Sequence, residues 1–316
     1  MRTSSSTTLF GGAGFIGRYI IQRLAQQGGM VRVPTRDMDK ALPLKTAGNV
    51  AQIVPFLSST RSDAAIARAV AGADTVINLI GILYESGRSN FQTMHVETAA
   101  RIARIARQQG VKNFVHFSAL GASDQSKSKY ARSKISGEEA VRAFFPEAII
   151  MRPSIVFGPE DNFFNKFASL ARFSPALPLI GGGTTKFQPV YVVDVADAVI
   201  AAISNPAARG QTYELGGPTI YSFRELLELM LREVNRSRSL IPLPWALAKL
   251  KASFLQLLPH PLLTCDQVEL LKTDNVIHSP RAKTLKDLSI SPTALEVILP
   301  TYLDCFRAVG RLTKAA

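Results

Sequence analysis

The stretch Gly11-Gly12-Ala13-Gly14-Phe15-Ile16-Gly17 joins a β-prone segment at residues 7–10 to a helical pattern. The helical pattern comes from apolar residues that share one face: Phe15, Ile16, Tyr19, Ile20 and Leu24. Glycines between a strand and a helix allow a tight turn, the approach of a diphosphate and close contact between the two elements. The N–H groups at the start of the helix would hold the phosphates. The stretch therefore predicts an α/β fold of the Rossmann type, a doubly wound parallel sheet that binds a dinucleotide.

The end of the second predicted strand, at residues 30–33, bears on which dinucleotide is bound. Rossmann proteins that bind NAD usually carry an acid about 20 residues after the glycine loop, where it binds the ribose 2′-hydroxyl. Here Arg36 lies at this place, with Arg18 and Lys40 nearby. A cation favours a 2′-phosphate through charge-assisted hydrogen bonds. We therefore expect NADP(H), with NAD(H) as the alternative because Asp37 follows directly.

Strands and helices alternate through the first half of the chain, which is typical of a parallel sheet covered by helices on both faces. We predict strands at residues 30–33, 52–57, 74–81, 113–118, 148–152, 189–193 and 211–215. We predict helices at 63–71, 91–109, 130–145, 195–204 and 223–234. Asp194 and Ser222 are the expected N-caps of the last two helices. The expected domains are a Rossmann domain at 1–155, to which 187–216 return, and a smaller, mainly helical region at 156–186 and 217–316.

The composition is that of an ordinary globular protein, with 316 residues, 47% hydrophobic and 19% charged. The four histidines and two cysteines have no metal-ligand spacing, so we expect no metal. Cys265 and Cys305 are expected to be buried small side chains in a reducing compartment. Arg2 and the Ser/Thr run at 3–8 loosely resemble a targeting leader, although the first strand needs some of these residues. No apolar run approaches the ~20 residues that cross a bilayer, so we expect no transmembrane span.

The net charge of +13 suggests that the protein has an anionic partner. No basic stripe is interleaved with aromatic residues, so nucleic acid is not expected. The segment 234–265 is acid-free, basic and rich in large apolar residues. It suits an anionic membrane surface or an acidic partner, or alternatively a cap that packs on the protein's own smaller domain.

Tyr130 and Lys134 lie one turn apart at the start of a predicted helix that follows the strand ending at Ser118. A lysine ammonium near a phenol lowers the pKa of the phenol toward neutrality. The tyrosine can then act as a general acid or base beside a nicotinamide, and the lysine can bind ribose hydroxyls. Tyr130, Lys134 and Ser118 are therefore the candidate catalytic residues. The pentapeptide is common, and an exposed helix start is the alternative interpretation.

The chain resembles the extended and atypical short-chain dehydrogenase/reductase superfamily. More narrowly, it resembles the nucleotide-binding accessory subunits of respiratory complex I and their alphaproteobacterial counterparts, over roughly residues 7–300. The motifs that carry the resemblance are Gly11-x-x-Gly14-x-x-Gly17, Asn78-Leu79-Ile80-Gly81, Tyr130-x-x-x-Lys134, the run at 151–161 and Tyr191-Val192-Val193-Asp194. The resemblance implies an NADP(H) that is held for structure and not turned over.

The resemblance also implies partners, a location and site residues. The partners would be peripheral-arm subunits of complex I and the membrane surface near the quinone site. The location would be the cytoplasmic face of a bacterial inner membrane or the matrix side of a mitochondrial one. Gly11, Gly14, Phe15, Ile16 and Gly17 would face the diphosphate, Arg36 the 2′-phosphate, Leu79, Ile80 and Gly81 the adenosine, and Ser118, Tyr130, Lys134, Pro153 and Ile155 the nicotinamide ribose.

The chain departs from the superfamily pattern beside the predicted tyrosine. Catalytic members carry a Ser or Thr one or two positions after Ser118, where this chain has Ala119 and Leu120. The loss of such a donor typically lowers the rate by roughly two to three decades. The adenine-contacting acid of related proteins is replaced by Leu57-Ser58-Ser59. The alternative function is an NAD(P)-dependent reductase, epimerase or dehydratase of a nucleotide-sugar or isoprenoid-like substrate.

Overall fold

The computed structural model describes residues 5–87, 89–259 and 261–307. Arg2 and His260 of the sequence interpretation therefore lie outside the described residues. The chain divides into two compact units. The first comprises the described residues up to 154 together with 192–216 and 277–292, and the second comprises 155–191, 217–276 and those from 293 onward.

Within the described residues, thirteen strands form the framework of the two units. They are β1 (Ser6–Phe10), β2 (Met30–Thr35), β3 (Ile53–Leu57), β4 (Thr75–Asn78), β5 (Asn113–Phe117), β6 (Ile149–Pro153), β7 (Val156–Phe157), β8 (Ala176–Ile180), β9 (Lys186–Phe187), β10 (Val190–Tyr191), β11 (Thr212–Leu215), β12 (Tyr221–Ser222) and β13 (Ser239–Leu243). In the first unit, seven strands pair in the order β11-β6-β5-β4-β1-β2-β3, and every pairing is parallel. The predicted doubly wound Rossmann sheet is confirmed.

The helices are α1 (Phe15–Gln26), α2 (Met38–Ala41), α3 (Asp63–Val70), α4 (Thr98–Gln108), α5 (Lys129–Phe144), α6 (Phe164–Phe173), α7 (Val192–Ser204), α8 (Phe223–Glu233), α9 (Trp245–Leu255), α10 (Cys265–Leu270) and α11 (Leu295–Leu303). In the first unit α1 packs on α7, while α4 packs on both α3 and α5. The α4 side encloses a core that includes Phe10, Ile66, Val76, Ile102 and Phe114. Strand β4 is buried along its whole length, because a parallel strand with helices above and below has no solvent face.

The sheet order positions the candidate site. After β1 the chain continues to β2 on one side, whereas β4 pairs with β1 on the other side. The carboxyl ends of β1 and β4 therefore flank the place where the strand order reverses. In open α/β sheets, ligands bind in the crevice at this place.

The second unit contains the paired strands β10–β7, β12–β9 and β13–β8, together with α6 and α8–α11. Its main core is built around Phe157, Phe164, Phe187 and Phe223. Asp161 caps α6 by accepting from the Phe164 amide at 2.6 Å. No helix within the described ranges is both long and apolar enough to span a bilayer.

Several local expectations were wrong. Asp194 is the third residue of α7 and not its N-cap, because the helix already begins at Val192. The helix expected from residue 91 opens with a π-helical turn at Gln92–Glu97. The region after 235, expected to be mainly helical, also contributes β13, which pairs with β8 along five residues. Cys265 is half-buried and Cys305 is exposed, so neither is a core side chain.

The unit boundaries also differ from the expected domains. Residues 187–191 group with the second unit, whereas 277–292 group with the first. The latter segment is held there because the Glu214 amide at the sheet edge donates to the Lys283 carbonyl at 2.8 Å. The capping box at Ser222 and Glu225 forms as predicted.

Candidate dinucleotide-binding site

The glycine loop lies at the carboxyl end of β1, and two of its glycines cannot be replaced without moving backbone. Gly11 has φ +81°, and a Cβ there would lie 3.1 Å from the Leu79 carbonyl carbon and 3.3 Å from the Ile80 amide. A Cβ on Gly17 would lie 2.5 Å from the Gly12 carbonyl oxygen. Gly17 therefore brings the first turn of α1 against the loop, and Gly11 brings the loop against the end of β4.

The amino terminus of α1 is open toward the crevice. Gly14 is the exposed N-cap, and among the described residues no side chain caps this 12-residue helix. The first turn also contains no acidic residue. Its backbone N–H groups and the positive end of the helix dipole therefore remain available to an anion.

Arg36 and Asp37 follow β2 and have different environments. Arg36 is exposed and forms no hydrogen bond or ion pair with any residue that the structure describes. Asp37 caps α2, because its side chain accepts from the Lys40 amide, and it also pairs with the Lys40 ammonium at 3.2 Å. The hydrogen bond from Lys40 holds the pKa of Asp37 below its usual value. The cation is therefore free for a ligand, whereas the neighbouring carboxylate is already engaged.

Hydrogen bonds to the side chains of Asn78 and His95 fix the segment 79–82, which follows β4. The Asn78 Oδ1 atom accepts from the Ile80 amide at 3.1 Å, and the Asn78 amide nitrogen contacts His116 Nδ1 at 3.2 Å. The His95 Nε2 atom accepts from the Ile82 amide at 3.0 Å. Leu79 and Ile80 are half-buried and Gly81 is exposed. The segment therefore presents its backbone to the crevice in a fixed conformation.

His95 also connects this segment to the helix that carries Tyr130. Its Nδ1 atom lies 2.8 Å from Ser133 Oγ, which donates to the Tyr130 carbonyl at 2.8 Å. Because Nε2 accepts from a backbone amide, the proton is assigned to Nδ1. Burial and the nearby Lys134 charge lower the pKa of His95 to about 3, so the ring is neutral. Its π-helical turn fits against α5 because a Cβ on Gly137 would lie 2.4 Å from the His95 carbonyl oxygen.

The pair Tyr130 and Lys134 forms, but its electrostatics differ from the expectation. The Lys134 ammonium donates to the Phe117 carbonyl at 2.9 Å and lies 5.9 Å from the centroid of the Tyr130 ring. Burial lowers the pKa of Lys134 to about 8 and raises the pKa of Tyr130 to about 12. Burial is the cause of the raised pKa of Tyr130, so the expected shift of the phenol toward neutrality is not found.

Ser118 is the hydroxyl that this site leaves without a partner. Its side chain is buried, and its Oγ has no hydrogen-bond partner within the described part of the chain. The two other serines considered as replacements are engaged locally: Ser123 Oγ accepts from the Gln125 amide, and Ser128 caps α5. At Ala119 and Leu120 no hydroxyl is available.

The remaining residues that were predicted to contact the nucleotide do not all belong to the same unit. Pro153 is the buried last residue of β6 in the first unit, whereas Ile155 is the first residue of the second. Leu57, at the place of the adenine-contacting acid, is 69% exposed. Within the described ranges, no group of three or more His, Cys, Asp or Glu side chains could hold a metal ion.

These residues fit a dinucleotide on two independent observations. Gly11 and Gly17 allow the loop to pack against the end of β4 and the first turn of α1, and Gly81 has no Cβ in the space beside His95 Nε2 and Lys134 Nζ, each of which a Cβ would meet at 3.6 Å. The buried Ser118 Oγ lacks a partner, and such groups usually have one in a complete structure. His95 and His116 were missed by the sequence interpretation. His116 precedes Ser118 by two residues and so lies on the same face of the extended chain, which was an available signal.

Comparison with known proteins agrees with this architecture. A family model described as the NAD dependent epimerase/dehydratase family matches residues 7–216. NADH dehydrogenase (ubiquinone) 1 alpha subcomplex subunit 9 of Arabidopsis thaliana is 38% identical over 315 residues, covering 96% of this chain and 78% of that protein. The 40 kDa subunit of NADH-ubiquinone oxidoreductase of Neurospora crassa is 34% identical and covers 96% of this chain and 80% of that protein.

Among solved structures, dTDP-glucose 4,6-dehydratase from Streptomyces venezuelae, crystallised with NAD and TYD, superposes with a TM-score of 0.70 at 19% identity. The match covers 94% of this chain and 95% of that chain, and it shows the shared fold. The family model and the sequence relatives confirm the resemblance to extended short-chain dehydrogenases. The chain belongs to the NAD-dependent epimerase/dehydratase family.

Proposed function

We propose that this chain is an NADP(H)-binding accessory subunit of respiratory complex I, in which the nucleotide stabilises the first unit and is not turned over. The observation that carries the proposal is the similarity, across nearly the whole chain, to proteins named as complex I subunits. Its partners are then subunits of the peripheral arm. Its location is the cytoplasmic face of a bacterial inner membrane or the matrix side of a mitochondrial one.

The first unit offers a contact for each part of the nucleotide. The amino terminus of α1, from Gly14, binds the diphosphate through backbone N–H groups. The segment 79–81 lines the adenosine side. Lys134 and Ser118 supply donors to the nicotinamide ribose, and the pKa of Lys134 near 8 keeps most of its charge at neutral pH. When bound, the nicotinamide would supply hydride transfer.

The preference for NADP(H) over NAD(H) rests on Arg36 and Asp37. Arg36 is exposed and has no partner among the residues described, so it can meet a 2′-phosphate. Asp37 already accepts from the Lys40 amide and pairs with the Lys40 ammonium. This prior engagement makes its carboxylate a poorer acceptor for a ribose 2′-hydroxyl and disfavours the NAD(H) arrangement.

The absence of turnover rests on the environment of Tyr130. A phenol with a pKa near 12 is a poor general base at neutral pH. The two positions at which catalytic members carry the hydroxyl that polarises the substrate carbonyl are Ala119 and Leu120 here. Both features leave nucleotide binding intact while removing proton transfer and transition-state stabilisation.

The alternative is an NAD(P)-dependent reductase, epimerase or dehydratase. Membership of the epimerase/dehydratase family favours it, as does the buried Ser118 Oγ, which has no partner within the described part of the chain. In this case Ser118 would donate to a substrate carbonyl in place of the missing hydroxyl. The substrate class remains that of nucleotide sugars or isoprenoid-like molecules.

Copurification with detergent-solubilised complex I, followed by release and quantification of the nucleotide, tests the proposal. We expect NADP(H) to be released in equal amount to the subunit. Gly14→Asp should impair both nucleotide content and association, because an N-cap carboxylate occupies the anion site and repels phosphates while still capping the helix. The matched variant Tyr130→Phe should leave the association with complex I unchanged.

Two results would contradict the proposal. Equal effects of Gly14→Asp and Tyr130→Phe would remove the distinction between binding and chemistry. A chain that stays apart from complex I and oxidises NADPH with an added carbonyl substrate would be the enzyme instead.

A further inference from the structure

A cavity of about 1000 Å³ lies beside α8 in the second unit. Arginines line the part of it that follows the carboxyl end of this helix. They are Arg232, in the last turn of α8, and Arg236 and Arg238, in the segment that leads to β13. We refer to these three residues as the arginine cluster. Ligand pockets commonly reach roughly this volume, so the space is sufficient for a small molecule.

The carbonyl groups at the end of α8 have partners other than the arginine cluster side chains. Asn235 has φ +50°, and the backbone closes the helix in a Schellman motif. In this motif the Arg236 amide donates to the Leu231 carbonyl and the Asn235 amide donates to the Arg232 carbonyl, both at 3.0 Å. The guanidinium groups are therefore not required to cap the helix.

Two of the three arginines are anchored by Nε, the inner nitrogen of the guanidinium group. Arg236 Nε donates to the Phe306 carbonyl at 3.0 Å, and Arg238 Nε donates to the Ala171 carbonyl at 2.8 Å. Arg238 Nη1 also donates to the Ser237 carbonyl at 2.9 Å. Both Nη groups of Arg236 and the Nη2 group of Arg238 have no partner among the residues described. The anchors fix the side chains and leave these outer nitrogens for a ligand.

The positive charges of the arginine cluster are not compensated by any carboxylate that the structure describes. Arg232 is exposed and forms no hydrogen bond or ion pair with a described residue. The carboxylates that line the cavity are each engaged elsewhere: Glu225 with the Ser222 amide, Glu228 with Arg224 and Glu296 with Tyr221 Oη. Like charges around one cavity repel one another, and a bound anion would remove this repulsion.

The charge of the arginine cluster favours an anion with more than one phosphate group. A guanidinium group donates in a planar fork that matches the oxygen atoms of a phosphate. One phosphate group carries a charge of roughly −1.5 to −2. It would leave part of the three positive charges uncompensated, whereas two linked phosphate groups would balance them.

An acidic peptide matches the cavity less well than a compact anion does. Glu225 and Arg232 lie in the same helix, about 10 Å apart along its axis. An extended acidic chain along the cavity would therefore bring its carboxylates close to those of Glu225 and Glu228. A compact anion avoids this repulsion, because it contacts only the part of the cavity that the arginines line.

We propose that the arginine cluster binds a soluble small molecule that carries a diphosphate. The outer nitrogens of Arg236 and Arg238 donate to the phosphate oxygens from fixed positions, and Arg232 adds a third cation from α8. This inference goes beyond the proposed function, because every residue of the site belongs to the second unit and none of them contacts the predicted nucleotide.

Calorimetric titration of the full chain with pyrophosphate, with and without saturating NADPH, tests the inference. We expect binding in both conditions, and binding of inorganic phosphate roughly tenfold weaker. Arg232→Gln should weaken pyrophosphate binding roughly tenfold or more, because a charge-assisted contact is lost. This variant loses no hydrogen bond within the described part of the chain, so it should fold as the wild type does. Lys251→Gln removes an exposed cation from α9 of the same unit and is the matched control, with unchanged affinity expected.

Four results would overturn the inference. They are a wild type that binds no pyrophosphate, an Arg232→Gln variant that binds it as well as the wild type, equal affinities for phosphate and pyrophosphate, and binding that NADPH abolishes. The last result would place the anion at the glycine loop. Tighter binding of a polyglutamate peptide, with pyrophosphate as its competitor, would identify an acidic protein segment as the occupant instead. A chain that binds pyrophosphate as expected but never copurifies with complex I refutes only the proposed function.

Discussion

Lys134→Met should change how the stability of this protein depends on pH. The pKa of Lys134 falls from its ordinary 10.5 to about 8 because the side chain is buried. At about 1.4 kcal/mol per pH unit, the difference corresponds to roughly 3 kcal/mol. Between these two values the unfolded chain binds more protons than the folded one, so stability rises with pH. Above pH 10.5 Lys134 is neutral in both states and its burial does not lower the free energy of unfolding. As the pH falls from 10.5 to about 8, the cost of keeping the folded lysine uncharged grows, and the free energy of unfolding decreases.

Denaturant unfolding at about pH 7 and about pH 10 measures this effect directly. We expect the free energy of unfolding of the wild type to rise by about 2–3 kcal/mol more than that of Lys134→Met over this range. Lys134→Met also loses the hydrogen bond to the Phe117 carbonyl. This loss does not depend on pH, so it cancels when only the change in stability between the two pH values is compared. Lys45→Met, at an exposed position, is the control and should follow the wild type.

Addition of NADPH extends the test to function. Ribose oxygens that accept from the ammonium favour its charged form, so a saturating nucleotide should reduce the pH dependence of the wild type. Parallel pH profiles of the wild type and Lys134→Met without nucleotide would refute the reasoning, because the lysine would then be solvated in the folded state.

Three further variants test the site. Gly17→Ala should weaken NADPH binding roughly a hundredfold or more, as its Cβ would lie 2.5 Å from the Gly12 carbonyl oxygen and displace α1 from the loop; calorimetric titration that finds unchanged affinity would contradict the close approach. Arg36→Glu should weaken NADPH binding roughly tenfold or more while changing NADH binding little. Competition titrations measure both affinities, and an equal loss would remove Arg36 from the 2′-phosphate site. His95→Phe removes the acceptor of the Ile82 amide and should weaken nucleotide binding roughly tenfold, whereas His95→Gln, which keeps an acceptor and a donor, should restore most of it. Equal affinities of these two variants would show that His95 acts only through packing.

The sheet was predictable because its signals are local. A glycine loop between a strand and a helix, and buried strands such as β4 with nearly continuous apolar runs, each depend on a few neighbouring residues. The strand order then follows from the rules for parallel α/β units. These elements were therefore predicted with their approximate bounds.

The parts that were not predictable depend on contacts distant in sequence. Strand β13 forms because residues 239–243 pair with residues 176–180. No local sequence pattern predicts this pairing. The π-helical turn around His95 depends on Gly137, which lies about two turns into α5 and leaves room for the His95 carbonyl. The raised pKa of Tyr130 is a consequence of burial, whereas the sequence shows only that a lysine follows one turn later.

Strand β11 lies at the edge of the sheet and is synthesised well after β6, the strand with which it pairs. Arg152 in β6 forms a bidentate pair with Glu138 at 2.8 Å and also reaches Glu214 in β11 at 3.5 Å. A ribosome must therefore translate past residue 216, and to 292 for the last segment, before the first unit has all its parts. The nascent chain emerges as an incomplete sheet with β6 still at an unpaired edge. Because of this order of segments, the unpaired edge of β6 must be protected while the rest of the chain is translated. A fragment that stops at residue 154 should therefore aggregate.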